Sequence, residues 1–152
     1  MQDIVNCLWF DDRGLEAARF YTGLFPHSRI LGRSPGPDPQ TPLTVSFELA
    51  GRPFVALNGG PMFTFNEAVS FQIPCGTQDE IDHYWDALTD GGEESRCGWL
   101  KDRFGVSWQV LPTRLQELLS GGDPEVAQRV TEAYLPMNKI DVSVLEAAAA
   151  RR

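Results

Sequence analysis

Near the start of the chain stands Val5-Asn6-Cys7-Leu8-Trp9-Phe10-Asp11-Asp12-Arg13-Gly14-Leu15-Glu16-Ala17-Ala18-Arg19-Phe20-Tyr21-Thr22-Gly23-Leu24. At a spacing of 64 comes Val69-Ser70-Phe71-Gln72-Ile73-Pro74-Cys75-Gly76-Thr77-Gln78-Asp79-Glu80-Ile81-Asp82-His83-Tyr84-Trp85-Asp86-Ala87-Leu88. Val5 matches Val69, Phe20 matches Tyr84, Tyr21 matches Trp85 and Leu24 matches Leu88. Each stretch reads as a short apolar strand (residues 4–10 and 69–73), a polar turn, and an amphipathic helix (residues 14–24 and 78–89). Thr77 followed by Glu80 is the capping-box spacing that starts a helix. Self-similarity at a fixed spacing predicts two copies of one structural unit.

Three strands are expected after each helix: residues 29–32, 43–49 and 52–58, then one near Glu94 followed by 98–102 and 106–111. Each copy therefore reads βαβββ. The later strands align at a spacing of 54, pairing Gly51 with Gly105, Phe54 with Trp108 and Leu57 with Leu111. The shortfall against 64 is the loop Ser34-Pro35-Gly36-Pro37-Asp38-Pro39-Gln40-Thr41-Pro42, whose prolines cannot supply a central sheet ladder. Residues 62–68 join the copies through Phe63 and Phe65, which predicts a packed linker. Beyond Pro112 the pattern turns helical, with Thr113 opening one helix, Asp123-Pro124 capping a second and Asp141 a third. The expected organisation is a tandem βαβββ domain over 1–112, with modules about 1–60 and 66–112, and a C-terminal helical extension over 113–152 that covers sheet edges or a partner. The fold class is α+β.

Composition bounds the rest. The 152 residues, 42% of them hydrophobic, suffice for a core without a metal or disulfide staple. Thirteen basic against twenty-one acidic residues give a net charge of −8, which repels nucleic acid and anionic lipid. Cys7, Cys75 and Cys97 are an odd number without Cys-x-x-Cys spacing, so reduced thiols in a cytoplasm are expected. Asp3 stands where a signal peptide carries basic charge, and no apolar run reaches the roughly 20 residues of a membrane span.

Strand side chains alternate between faces, so placing one residue places its neighbours. With Phe71 beneath the second helix, Val69 and Ile73 join it, and Ser70 and Gln72 point to the opposite, concave face. Carried across at a spacing of 64, the argument puts Val5, Cys7 and Trp9 under the first helix and Asn6 and Leu8 in the concavity. Trp108 and Val110 go with Phe54 and Ala56 to the helix side, leaving Ser107, Gln109, Val55 and Leu57 facing a cleft. Such a lining suits a neutral or weakly polar small molecule, with Gln72 and Gln109 as the orienting pair. Among the tryptophans, Trp9, Trp85 and Trp108 fall at core parity, and Trp99 is the one free to line the cleft. Asp102-Arg103-Phe104-Gly105 reads as a hairpin turn in which Asp102 bonds its own backbone and Gly105 takes positive φ.

These residues resemble a known family. The repeated βαβββ over residues 2–112 is similar to the vicinal oxygen chelate superfamily of glyoxalases, bleomycin-resistance proteins and extradiol dioxygenases. Leu8-Trp9-Phe10, Glu16-Ala17-Ala18-Arg19-Phe20-Tyr21, Asn58-Gly59-Gly60-Pro61, Phe65-Asn66-Glu67-Ala68 and the run from Cys97 to Gln109 resemble its PhnB-like branch, often labelled 3-demethylubiquinone-9 3-methyltransferase. The resemblance implies two modules curling sheets around a cleft, usually in a homodimer. In metal-dependent members His, Gln and Glu side chains of the concave strands hold a divalent ion. The positions this resemblance indicates here are Asn6, Ser70 and Gln109, with Val55 as the pseudo-equivalent of Gln109.

Neutral Asn, Ser, Gln and Val are poor ligands for a divalent ion, so neither a metal nor another cofactor is expected. His27, at a turn, and His83, on a helix beside Tyr84, are expected to face solvent or pack. Gly59-Gly60, Gly91-Gly92 and Gly121-Gly122 lack the strand-to-helix setting of a common S-adenosylmethionine site. Cys97 is expected to be structural, since Arg96 and Lys101 give weak support for a thiolate. The sequence thus favours a metal-free protein that binds a small organic molecule through Asn6, Leu8, Val55, Leu57, Ser70, Gln72, Trp99, Ser107 and Gln109. The rival is a metal-assisted glyoxalase- or dioxygenase-like enzyme or, less so, a methyltransferase; catalysis itself is left open.

Overall fold

The computed structural model describes residues 2–151. After Phe65 the chain divides into two compact units. The first contains β1 (Asn6–Phe10), α1 (Gly14–Leu24), β2 (Arg29–Arg33), β3 (Thr44–Leu49) and β4 (Arg52–Asn58). The second contains β5 (Phe71–Cys75), α2 (Gln78–Thr89), β6 (Glu93–Glu94), β7 (Trp99–Lys101) and β8 (Ser107–Pro112), then α3 (Thr113–Ser120), α4 (Pro124–Tyr134) and α5 (Val142–Ala150). Both units are βαβββ, with four-stranded sheets ordered β1-β4-β3-β2 and β5-β8-β7-β6. In each, the first strand runs parallel to the last and the remaining pairs are antiparallel. No helix among the described residues is long and apolar enough to cross a membrane.

The helices start where local chemistry satisfies their free N–H groups. Thr77 Oγ1 accepts from Glu80 N at 3.2 Å, Asp123 Oδ1 from Glu125 N and Val126 N, and Asp141 Oδ1 from Ser143 N. α1 has no side-chain cap of its own; the Asn58 amide oxygen, at the end of β4, accepts from Gly14 N at 2.8 Å instead. A side chain at Gly14 would place its Cβ 2.8 Å from that oxygen and 3.2 Å from Ala56 Cβ, so glycine is required by close approach.

Ala56 therefore faces α1, and the register carries its neighbours with it. Leu8, Ala56 and Val45 are opposite one another across β1, β4 and β3, as are Phe54 and Phe47 across β4 and β3. All five are buried, with Phe47 and Phe54 stacked at 5.4 Å. In the second unit Ile73, Val110, Trp108 and Leu100 share the covered face with Ile81, Trp85 and Leu88 of α2. Burying each such side chain contributes on the order of 1.5–3 kcal/mol.

The C-terminal helices form a cluster of their own, Leu115, Leu118, Val130, Ile140 and Leu145, against which Leu111 packs. They are tied to the second unit by Gln78, which donates to Ile140 O and accepts from Val142 N, and by Cys97 N and Gly98 N, which donate to Met137 O and Asn138 O. Cys97 adopts φ 61°, and its thiol lies 3.2 Å from Leu135 O.

The first strand reverses the expected faces. Leu8 and Phe10 are buried, while Val5 is 46% exposed and Cys7 is exposed. Asn6 is opposite Phe54, hence also on the α1 side, and its amide reaches Pro53 O at 3.5 Å. Trp9 is not in the core; it shares the open face with Cys7, donates to Gly60 O at 2.9 Å and meets Phe63 edge-on at 5.0 Å. Val69 lies outside β5 and is 69% exposed. The cause is a one-residue offset: the helices repeat at 64, but Asn6–Phe10 and Phe71–Cys75 repeat at 65. In a strand one residue of slip exchanges the two faces.

Candidate functional site

On the second sheet the polar residues expected to face outward do converge. Gln72 and Gln109 are opposite one another across β5 and β8, and Trp99 of β7 is opposite Gln109 on the other side. The Gln109 amide nitrogen donates to Ser70 Oγ at 2.8 Å, and its oxygen accepts from Gln72 Nε2 at 3.4 Å. Ser70, Gln109 and Gln72 form a directed chain of hydrogen bonds that leaves the Gln72 carbonyl and the Ser70 hydroxyl proton for other partners. Trp99 is half-buried.

Ser107 lies on the same face, one step of alternation from Gln109, and is 1% exposed. Its hydroxyl is buried with no hydrogen-bond partner among the described residues, a situation that costs about 1–3 kcal/mol. Lys101 is opposite Ser107 in register and forms an ion pair with Glu67. That contact holds the Glu67 carboxyl below its ordinary range and the Lys101 ammonium above its own. Glu93 is opposite Lys101, so the charged rim of this face carries one excess negative charge.

The open face of the first sheet is different in character. Val55 and Leu57 lie on it as expected, half-buried, with Cys7 and Trp9 opposite them. Ser46 and Thr44 are opposite Val55 and Leu57 on β3, and Glu48 is bound by Arg29 at 2.7 Å. Asn6 and Leu8 belong to the α1 side and leave this face to Cys7 and Trp9. The sequence held no polar marker for this, because Val5, Cys7 and Trp9 alternate as apolarly as Leu8 and Phe10. A depression of about 300 Å³ elsewhere in this unit, lined by Asp12, Arg13, Leu15, Glu16, Arg19 and Gln40, has Arg13 paired with Glu16 at 2.8 Å.

A resident divalent ion does not fit these residues. At the centre of the first sheet's open face Cys7 stands opposite Val55, a single thiol, and at the centre of the second Gln72 stands opposite Gln109, two neutral amides of which one oxygen already accepts a bond, so neither face by itself offers a ligand set. Among the described residues no group of three or more His, Cys, Asp or Glu side chains is placed to hold a metal. His27 and His83 are exposed, His83 lying edge-on to Tyr84 at 5.0 Å.

Other motifs have structural roles. Asp102 is 3% exposed and accepts from Phe104 N at 2.9 Å, Val106 N at 3.0 Å and Trp108 Nε1 at 2.8 Å, while Gly105 takes φ 88°. The double-glycine steps fall after β4, between α2 and β6, and between α3 and α4, none of them between a parallel strand and a helix. Burial raises the Cys75 thiol to about 11 and keeps it protonated.

Comparison with known proteins bears on this geometry. Residues 2–111 match the family model described as 3-demethylubiquinone-9 3-methyltransferase. A PhnB protein from Bacillus cereus, described as a putative 3-demethylubiquinone-9 3-methyltransferase, is 32% identical over 74% of this chain and 100% of its own, with a TM-score of 0.67. A Pseudomonas aeruginosa protein is 20% identical, covering 74% of this chain and 98% of its own, with a TM-score of 0.60. The fosfomycin resistance protein FosX of Listeria monocytogenes shares the fold at 14% identity, with 76% and 94% coverage and a TM-score of 0.57. No curated protein matches the sequence. With its tandem βαβββ modules, the chain belongs to the 3-demethylubiquinone-9 3-methyltransferase, or PhnB-like, family.

Proposed function

We propose that this protein binds a small, uncharged organic molecule, with Ser70, Gln72, Trp99 and Gln109 forming one wall of the site, and that it does so without a catalytic metal. The observation that carries this reading is the hydrogen-bonded Ser70, Gln109 and Gln72 chain beside a half-buried tryptophan. Amides held by one another are oriented in advance, so a ligand meets fixed donors and acceptors and less freedom is lost on binding. The Ser107 hydroxyl adds a further polar group on the same face. Methyl transfer is not part of the proposal, since no glycine-rich strand-to-helix turn is present among the described residues to bind the usual donor. By analogy with the superfamily, the protein acts as a homodimer in the cytoplasm.

A thermal-shift screen of neutral metabolite-sized compounds, run on protein purified without chelator and assayed for metal, tests the proposal. Gln72→Ala and Gln109→Ala are each expected to weaken a hit roughly tenfold, the value of one lost hydrogen bond, while melting stays within about 2 °C of wild type. Stoichiometric nickel, zinc, manganese or iron lost on either substitution overturns the metal-free reading. Large stability losses from both assign the amides to structure alone.

A further inference from the structure

We infer that the ligand of this face is a flat aromatic molecule bearing an uncharged amide-like edge, an inference that rests on the binding reading above. Three independent features of β5, β7 and β8 narrow the chemistry. The first is Trp99: its indole is half-buried on the open face, and no side-chain hydrogen bond engages its N–H among the described residues. The other indole N–H groups are all satisfied, Trp9 by Gly60 O, Trp85 by Glu94 and Trp108 by Asp102. A broad aromatic surface with a spare donor, next to fixed amides, matches a planar ring carrying an acceptor.

The second feature is the direction of the polar chain. Because Gln72 donates into Gln109 and Gln109 donates into Ser70, the chain presents an acceptor at Gln72 and a donor at Ser70. Ser70 immediately precedes β5 and Gln72 lies within it, and Gln109 bridges them, so the free donor and the free acceptor stand at opposite ends of the chain. A carboxamide or lactam offers both a donor and an acceptor on one rigid framework, whereas an ether or a hydrocarbon leaves one end of the chain unanswered. The third is charge. Lys101, the cation that the register places on this face, is neutralised by Glu67, and Glu93 adds a negative charge at the rim, so a carboxylate gains less here than a neutral group.

Three matched probes separate these features: 2-naphthamide, 2-naphthoate and cyclohexanecarboxamide, titrated against the full chain by ligand-observed NMR. The amide of the flat ring is expected to bind at least tenfold more tightly than either the carboxylate or the saturated amide. Trp99→Ala should abolish the preference for the flat ring, Trp99→Phe should keep most of it, and Gln109→Ala should narrow the gap between amide and carboxylate. Equal or tighter binding of the carboxylate or of the saturated amide, or no binding of any probe at millimolar concentration, overturns the inference. A saturated ligand whose binding depends on Gln72 and Gln109 removes the flat-ligand inference and leaves the binding reading standing. If no compound shows such dependence, both fail.

Discussion

The β7–β8 turn sets the register that brings Trp99 opposite Gln109, and Asp102 is its keystone. Replacing Asp102 with alanine deprives two buried donors, Val106 N–H and Trp108 Nε1–H, of their acceptor, while Phe104 N–H is only part-buried and can turn to water. An unsatisfied buried donor costs about 1–3 kcal/mol, so the pair is expected to cost about 2–6 kcal/mol. With a urea dependence of about 2 kcal/mol per molar, the unfolding midpoint should fall by about 1–3 M. Asp102→Asn is a finer probe. It can keep an acceptor for the backbone donors but presents an N–H to the Trp108 indole, and Trp108→Phe removes that indole donor. The cost of Asp102→Asn should therefore shrink by at least about 1 kcal/mol in the Trp108→Phe background, a coupling that a double-mutant cycle isolates. A midpoint shift below about 0.5 M for Asp102→Ala at unchanged slope, or additive costs in the cycle, refutes the assignment of Asp102 as the acceptor holding this turn.

The face assignment of β1 is tested by Leu8→Ala, expected to cost about 2–4 kcal/mol, beside Cys7→Ala, expected to change stability by less than about 0.5 kcal/mol; the reverse order in urea unfolding restores the 64-residue alignment. Thiol chemistry tests burial: at pH 8 the exposed Cys7 should react rapidly with a disulfide reagent, and Cys75, raised to about 11, should react only when the protein unfolds. The folded thiol holds its proton more tightly than an unfolded one near 9.0, so its contribution to stability is intact below that value and is lost as pH rises toward about 11. Wild type compared with Cys75→Ala by urea midpoint across that range should show the steeper loss in wild type, since the raised Lys101, Lys139 and Tyr84 titrate in both.

Most of the architecture was legible because its signals are local and redundant. The second copy announces itself through Thr77 and Glu80, Gln72 in an otherwise apolar strand, and Gly105 at a positive-φ turn, each tied to one backbone requirement. The helix ends at Asp123 and Asp141 were readable for the same reason. The short β6, Glu93–Glu94, was expected near Glu94 because the repeat demanded a strand there, although its two exposed glutamates carry no strand pattern of their own.

The first strand was not legible, and the reason is physical. Residues 7–10 are apolar at both parities and the one polar residue, Asn6, falls on the covered side, so alternation cannot say which set is covered, and the reading borrowed its phase from the second copy through the helices. Between strand and helix the turn of the first copy, Asp11 to Arg13, is one residue longer than Gly76-Thr77 of the second, which shifts the strand spacing to 65 while the helices keep 64. The extra residue accompanies a different way of starting the helix: α2 is capped by Thr77, whereas α1 borrows Asn58 from the end of β4. Because β1 and β4 are parallel neighbours, that borrowed cap couples the strand register to the helix start, and the register, with Leu8 opposite Ala56, decides which side chains reach the open face. The consequence is chemical asymmetry between two copies of one unit. The register position that holds Gln72 in the second sheet holds Cys7 in the first, and the position that holds Gln109 holds Val55. One copy keeps a hydrogen-bonded amide pair, and the other offers an aliphatic surface with a single thiol, so under the proposed function polar recognition falls to β5 and β8.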